Sequence, residues 1–138
     1  MIKFETNIDI NRPVRQVFDF VADLKNAGKW SSMSTTTISD GPIGVGTTFT
    51  MVSRSEGKSN WQVIAFEQDK RLGLKGSGRG MDLTAEMTFE SSSTGTRLHY
   101  TFTVQPKGLM KLLEPFIAGA VKKEEAGELK KLKTLLEA

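Results

Sequence analysis

The chain opens on strict alternation. Ile2, Phe4, Thr6, Ile8 and Ile10 are interleaved with Lys3, Glu5, Asn7 and Asp9, the period-two pattern of a half-buried strand. The period then changes. Asn11 is placed to cap a helix and Pro13 suits a first turn. Val14, Val17, Phe18 and Val21 follow at i, i+3, i+4 and i+7, predicting a short amphipathic helix over 13–23. Leu24 to Trp30 contains Asn26-Ala27-Gly28 and has room for a turn or a second short helix. Residues 31–39 are rich in Ser and Thr and end near Ile38, which predicts an edge strand. Gly41-Pro42-Ile43-Gly44-Val45-Gly46 is a loop by composition.

Five more strands follow. Thr47–Ser55 carries Phe49, Met51 and Val52. Trp61–Gln68 carries Trp61, Val63, Ile64 and Phe66, apolar on both faces. Arg71–Lys75 carries Leu72 and Leu74. The next two alternate cleanly, with Met81, Leu83, Ala85, Met87 and Phe89 on one face of the first and Leu98, Tyr100, Phe102 and Val104 on one face of the second. Their other faces hold Asp82, Thr84, Glu86, Thr88, Arg97, His99 and Thr101. An antiparallel sheet with one wet and one covered face is expected. Turns suited to hairpins lie at Glu56-Gly57-Lys58, Asp69-Lys70, Gly78-Arg79-Gly80 and Ser93-Thr94-Gly95.

The cover is supplied by 108–138. Leu109, Leu113, Phe116, Ile117, Ala120, Val121, Leu129, Leu132, Leu135 and Leu136 recur at helical spacing, and Lys122, Lys123, Lys130, Lys131 and Lys133 fill the other side. As one helix this stretch spans roughly 45 Å and needs a broad apolar partner. Pro115 breaks its continuity: either Leu109–Glu114 is a separate turn or the helix kinks there. Glu124 and Glu128 fall inside the apolar arc. Gly119 and Gly127 are expected to serve close packing, the alternative being that Pro115 and Gly119 leave room for a ligand.

Composition narrows the setting. A chain of 138 residues is expected to form one domain, 1–138, burying about two thirds of its unfolded surface. No apolar run is long enough to span a membrane, and the alternating N-terminus does not read as a signal peptide. There is no cysteine, hence no disulfide framework or thiolate chemistry. These features fit a cytoplasmic protein. The formal net charge is +3, and lysines interspersed with glutamates do not form a nucleic-acid stripe. With one histidine and no cysteine, a metal site is not indicated, nor is a cofactor. His99 falls on the wet face. Gly76-Ser77-Gly78-Arg79-Gly80 lacks phosphate-loop spacing and precedes a strand, so it reads as a hairpin. Ser91-Ser92-Ser93 has no nearby base. Asp82 and Glu86 read as solvated strand carboxylates.

The order is strand, two short helices, six antiparallel strands, long C-terminal helix. Pro13-Val14-Arg15-Gln16-Val17-Phe18 after the first strand, Asp23 with Trp30, Gly41-Pro42 through Val45-Gly46-Thr47, and Gly108-Leu109-Met110 with Leu129-Lys130-Lys131-Leu132-Lys133 carry a resemblance. Over essentially its whole length the chain resembles the START-like (SRPBCC) helix-grip superfamily, and within it the bacterial polyketide cyclase/dehydrase and lipid-transport type. The resemblance implies an α+β, Bet v 1-like fold: a seven-stranded curved antiparallel sheet wrapped around the C-terminal helix, with a cavity between them. Members bind lipids, sterols, polyketides, hormones or other apolar molecules, and some are cyclases.

The residues themselves leave a filled core and a pocket both open; the resemblance favours the pocket. Its expected walls are Trp30, Phe49, Met51, Trp61, Leu74, Met87, Tyr100, Phe102, Phe116, Ile117 and Ala120, with Trp30 and the 41–46 loop near the mouth. Methionine suits surfaces that accept varied apolar partners; buried Trp and Tyr need hydrogen-bond partners. A pocket of about 300 Å³ left empty would cost roughly 7 kcal/mol, so it is expected to hold water, ligand or scavenged lipid. Three functions compete. A carrier of a lipid or polyketide-like molecule needs no catalytic group. A cyclase or dehydratase would use Tyr100 as acid and Arg54, or Ser53 beside it, as a polar anchor. A partner-binding module would keep only a vestigial cavity. No acid–base constellation is visible, which favours the carrier. A hydrophobic small molecule is the expected partner, without nucleic acid or stable membrane insertion, and the chain is expected to be a monomer or weak homodimer.

Overall fold

A computed structural model describes residues 1–53 and 57–138. Its strands are β1 (Ile2–Ile10), β2 (Met33–Ile38), β3 (Thr48–Ser53), β4 (Gly57–Glu67), β5 (Arg71–Gly78), β6 (Met81–Ser92) and β7 (Gly95–Pro106). They form one antiparallel, curved sheet in the order β1-β7-β6-β5-β4-β3-β2. β1 and β2 therefore occupy opposite edges. The chain crosses between them through α1 (Val14–Ala22), a 3-10 turn (Leu24–Asn26) and the single turn α2 (Ala27–Trp30).

The alternation read from the sequence becomes an inner and an outer face. Met81, Leu83, Ala85, Met87, Phe89, Leu98, Tyr100, Phe102 and Val104 are buried. The outer face carries the ion pairs Arg97–Asp9 at 3.0 Å, Arg71–Glu86 at 3.1 Å and Lys107–Asp82 at 2.8 Å. His99 lies there too, its Nδ1 bonded to Asn7 and its Nε2 3.4 Å from Glu90.

β4, apolar on both faces in the sequence, is resolved by a bulge between Val63 and Ala65 that leaves Ile64 without a partner on β5. The extra residue shifts the alternation. Val63 and Phe66 both reach the core, whereas Ile64 is exposed. Phe66 meets Phe18 of α1 edge-to-face at 5.5 Å, and Phe18 meets Phe89 at 5.1 Å.

The C-terminal stretch divides. Gly108–Leu113 is a separate 3-10 turn, and α3 runs from Glu114 to Glu137 with Pro115 in its first turn, where a missing N–H costs no helical bond. Leu129, Leu132 and Leu136 of α3 are buried. Its far end is fastened to the β1–α1 connection. The Arg12 guanidinium donates to the Glu137 carbonyl at 2.9 Å, and the Asn11 amide donates to the Glu137 carboxylate at 2.8 Å. Asn11 thus serves α3 and does not cap α1, whose N-cap is Pro13. Leu109, Leu112 and Phe116 stand in solvent.

Candidate functional site

Between the concave face of the sheet and the layer of α2 and α3 lies an apolar cavity of about 60 Å³. Its floor is Phe49, Met51, Trp61, Leu74, Ala85, Met87, Tyr100 and Phe102; its rim is Val21, Leu24, Ala27, Trp30, Ser31 and Met33. The rim residues Ala27, Trp30, Ser31 and Met33 are half-buried, which puts the solvent side at α2 and the start of β2.

The aromatic floor depends on a glycine. Trp61 pairs across the sheet with Gly76, and a Cβ at Gly76 would sit 2.4 Å from the indole. Only glycine lets the ring lie flat there. The indole stacks on Phe49 with centroids 6.2 Å apart and donates through Nε1 to Ser59 Oγ at 2.8 Å. The 76–80 hairpin turns through Arg79 and Gly80, both at positive φ (50° and 74°), the geometry of a tight β-hairpin.

The opposite wall is polar. Glu125 and Glu128 of α3 line the cavity, 6% and 9% exposed. Tyr100 donates its hydroxyl to Glu125 Oε2 at 2.9 Å. Glu128 Oε1 accepts from the Ser32 amide at 2.7 Å and the Ser31 hydroxyl at 3.1 Å, and the Ser32 hydroxyl bonds Glu124. Burial, with the adjacent Glu128 adding repulsion and a hydrogen bond, pushes the Glu125 carboxyl up to about 9. Burial and the same glutamates push the Tyr100 phenol well above its ordinary value. At neutral pH Glu125 is therefore a neutral acid.

A smaller cavity of about 20 Å³ adjoins this wall, bounded by Met81, Leu83, Val104, Ile117, Val121 and Glu124. Met33, Phe102 and Glu125 border both spaces. A rotation of the unbranched Met33 side chain would connect them.

Trp30, Phe49, Met51, Trp61, Leu74, Met87, Tyr100 and Phe102 all border the main cavity. Three expected wall residues do not. Ile117 borders only the smaller space. Phe116 is 78% exposed, and Ala120 is also exposed. Successive helical residues point about 100° apart, so once Ile117 and Val121 face the sheet, Phe116 and Ala120 cannot. The 41–46 loop contributes no residue to the cavity; its turn is tied to β4 by the Gly46 amide bonding the Val63 carbonyl at 2.9 Å. The space is also well below the expected 300 Å³. Arg54 lies outside the described residues. Ser53 is buried.

The residues missed are Glu125 and its partnership with Tyr100. A signal was present: Val121, Glu125, Glu128, Leu132 and Leu136 keep the 3.6-residue phase. Glu124, which seemed to share the arc, is half-buried beside it. Among the described residues no group of three or more His, Asp or Glu is placed to hold a metal ion, and no helix is long and apolar enough to cross a membrane.

Fold and site together define a helix-grip protein with an apolar cavity ending on buried carboxyl groups. The family model for polyketide cyclase / dehydrase and lipid transport proteins matches residues 1–137, and the chain belongs to that family. No curated protein matches the chain. Among solved structures, the solution structure of Bacillus halodurans protein BH1534 superposes with a TM-score of 0.79 at 16% identity, covering 99% of this chain and 98% of that one. The Aha1 dimer from Colwellia psychrerythraea gives 0.71 at 18%, covering 99% and 97%. The di-domain ARO/CYC StfQ from the steffimycin biosynthetic pathway gives 0.76 at 12%, covering 99% of this chain and 50% of that protein. At these identities the likeness is one of fold.

Proposed function

We propose that the protein binds and carries an apolar small molecule, lipid or polyketide-like, in the cavity beneath α3. The observation that carries this reading is the cavity itself: aromatic and methionine side chains surround a space that the core leaves unfilled, although Ala85 is a small residue in its floor. Close packing is the rule in protein interiors, and an unfilled apolar space is expected to accept an apolar guest. At about 60 Å³ the space admits a short chain or one end of a longer molecule. A larger guest enters by rotation of Met33, Met51 and Met87, which all line it.

The test is native mass spectrometry of freshly purified protein, paired with Ala85→Leu. We expect a retained apolar molecule in the wild type, and in the variant unchanged or raised stability with that molecule lost. A wild type without any guest, and a variant destabilised by about 1 to 3 kcal/mol as in an overpacked core, would refute the reading.

A second reading, a cyclase or dehydratase-type enzyme, is favoured by one observation. Glu125 is a buried neutral acid hydrogen-bonded to Tyr100 at the cavity wall, a proton donor facing the space where a substrate carbonyl would lie. Turnover of a polyketide-like substrate abolished by Glu125→Gln would establish it; binding without turnover leaves the carrier reading.

A further inference from the structure

The hydrogen-bonding inventory of the cavity is unbalanced. Tyr100 has spent its only proton on Glu125, and the carboxyl of Glu125 is held protonated by burial beside Glu128. The indole N–H of Trp61 is spent on Ser59. On the other side stand four carboxyl oxygens. One accepts from Tyr100, and another takes both the Ser31 hydroxyl and the Ser32 amide. The remaining lone pairs border an apolar space. Among the described residues no Lys, Arg or His lines either cavity wall at this end, so a carboxylate formed there has no basic neighbour in the wall. The facing wall is aromatic, with Trp30, Trp61 and Phe102 around the same space, and aromatic faces attract cations.

We infer that the cavity selects apolar amines: molecules with a hydrocarbon body for the aromatic and methionine floor and a protonated nitrogen for the Glu125–Glu128 pair. This rests on the reading of the cavity as a binding site and names the class of its ligand. An ammonium brings three donors and one positive charge, which suit the surplus lone pairs and a carboxylate that has no base beside it. A fatty carboxylate would bring a negative charge to a cluster of acidic groups. A neutral alcohol would satisfy one lone pair and bring no charge. On binding, Glu125 releases its proton to solvent while the ammonium keeps its own, so the carboxylate that forms is paired with the cation that replaces the proton. The titratable groups facing this site are Tyr100 from β7 and Glu124, Glu125 and Glu128 from α3; α2 and the start of β2 present only Ser31 and Ser32 as polar neighbours.

The experiment uses a matched set, hexylamine, hexan-1-ol and hexanoate, titrated into the full chain by calorimetry and by chemical-shift mapping. We expect hexylamine to bind at least tenfold more tightly than hexanol and hexanoate more weakly than either, with shifts at Tyr100, Trp61 and Met87. Hexylamine affinity should rise with pH from 6 to 8, by up to about tenfold per unit if one proton is released. Runs in buffers of different ionisation enthalpy count that proton. In Glu125→Gln, an isosteric change that leaves the Ser31–Ser32 contacts of Glu128 in place, hexylamine should lose most of its advantage over hexanol. Hexanol or hexanoate binding as tightly as hexylamine, or amine binding indifferent to Glu125→Gln, overturns the amine inference and leaves the apolar-ligand reading standing. Failure of all three to shift any cavity residue removes both.

Discussion

Glu125 sets the behaviour of the site at the scale of a single residue. Its carboxyl titrates near 9 in the folded chain, against an ordinary value of 4.5. Between those values the folded state holds a proton that the unfolded state has released. Unfolding then releases a proton, so stability falls as pH rises through this window, with a limiting slope of about 1.4 kcal/mol per unit. Asp9 and Glu137 act in the opposite direction. Arg97 holds Asp9, and the Asn11 amide and Lys133 hold Glu137, below their ordinary values, so their contribution is lost in acid. Thermal unfolding should therefore be most resistant near pH 5 and should weaken toward pH 9. In Glu125→Gln the alkaline decline should flatten. A melting temperature that is level from pH 5 to 9 in the wild type would show that Glu125 ionises normally.

At the scale of the element, α3 divides into positions that bind the sheet and positions that do not. Leu132 is 0% exposed and Leu135 is 41% exposed, although both belong to the same apolar run in sequence. Leu132→Ala should cost about 2 to 5 kcal/mol, the usual range for a buried leucine. Leu135→Ala should cost less than about 1 kcal/mol. Chemical denaturation of the two variants under one condition makes the comparison; equal losses would mean that α3 is rotated from the phase described. The wide apolar arc of 108–138 hid this phase. Leu109, Leu112 and Leu113 are exposed because Gly108–Leu113 is a 3-10 turn outside the α3 axis. Helical periodicity does not carry across a change of helix type, so their spacing with Ile117 had no meaning in space.

At the scale of the whole molecule, the helix is the lid. Truncation after Glu114 should strip the cover from Leu83, Met87, Tyr100 and Phe102, which are all buried in the intact chain. At about 1.5 to 3 kcal/mol for each fully buried apolar side chain, the loss should exceed the stability of a domain, and the fragment should aggregate or unfold. A soluble, cooperative fragment seen by ultracentrifugation and circular dichroism would deny α3 that role. The tethers agree with this reading. Arg12 and Asn11 hold the C-terminal end of α3, the N-terminal ammonium reaches Glu114 at 2.8 Å, and Ser31 and Ser32 hold its middle through Glu128 and Glu124.

The sequence by itself determined the strands, their inner and outer faces, the edge position of 33–38 and the presence of a covering helix. Each of these is a local periodicity, and burial of one face enforces it. It also supplied seven of the cavity's aromatic, methionine and leucine walls, because inward strand positions are read directly from alternation. Only the tertiary structure decided how α3 is rotated, and hence that Phe116 and Ala120 leave the site while Glu125 and Glu128 enter it. A helix with apolar residues around much of its circumference can meet a sheet in several phases, and packing selects one. The pairing of Tyr100 with a glutamate 25 positions away, and the neutral acid that results, depend on that choice and on the removal of water. Both are properties of the closed interface between helix and sheet, and neither is a property of either segment alone.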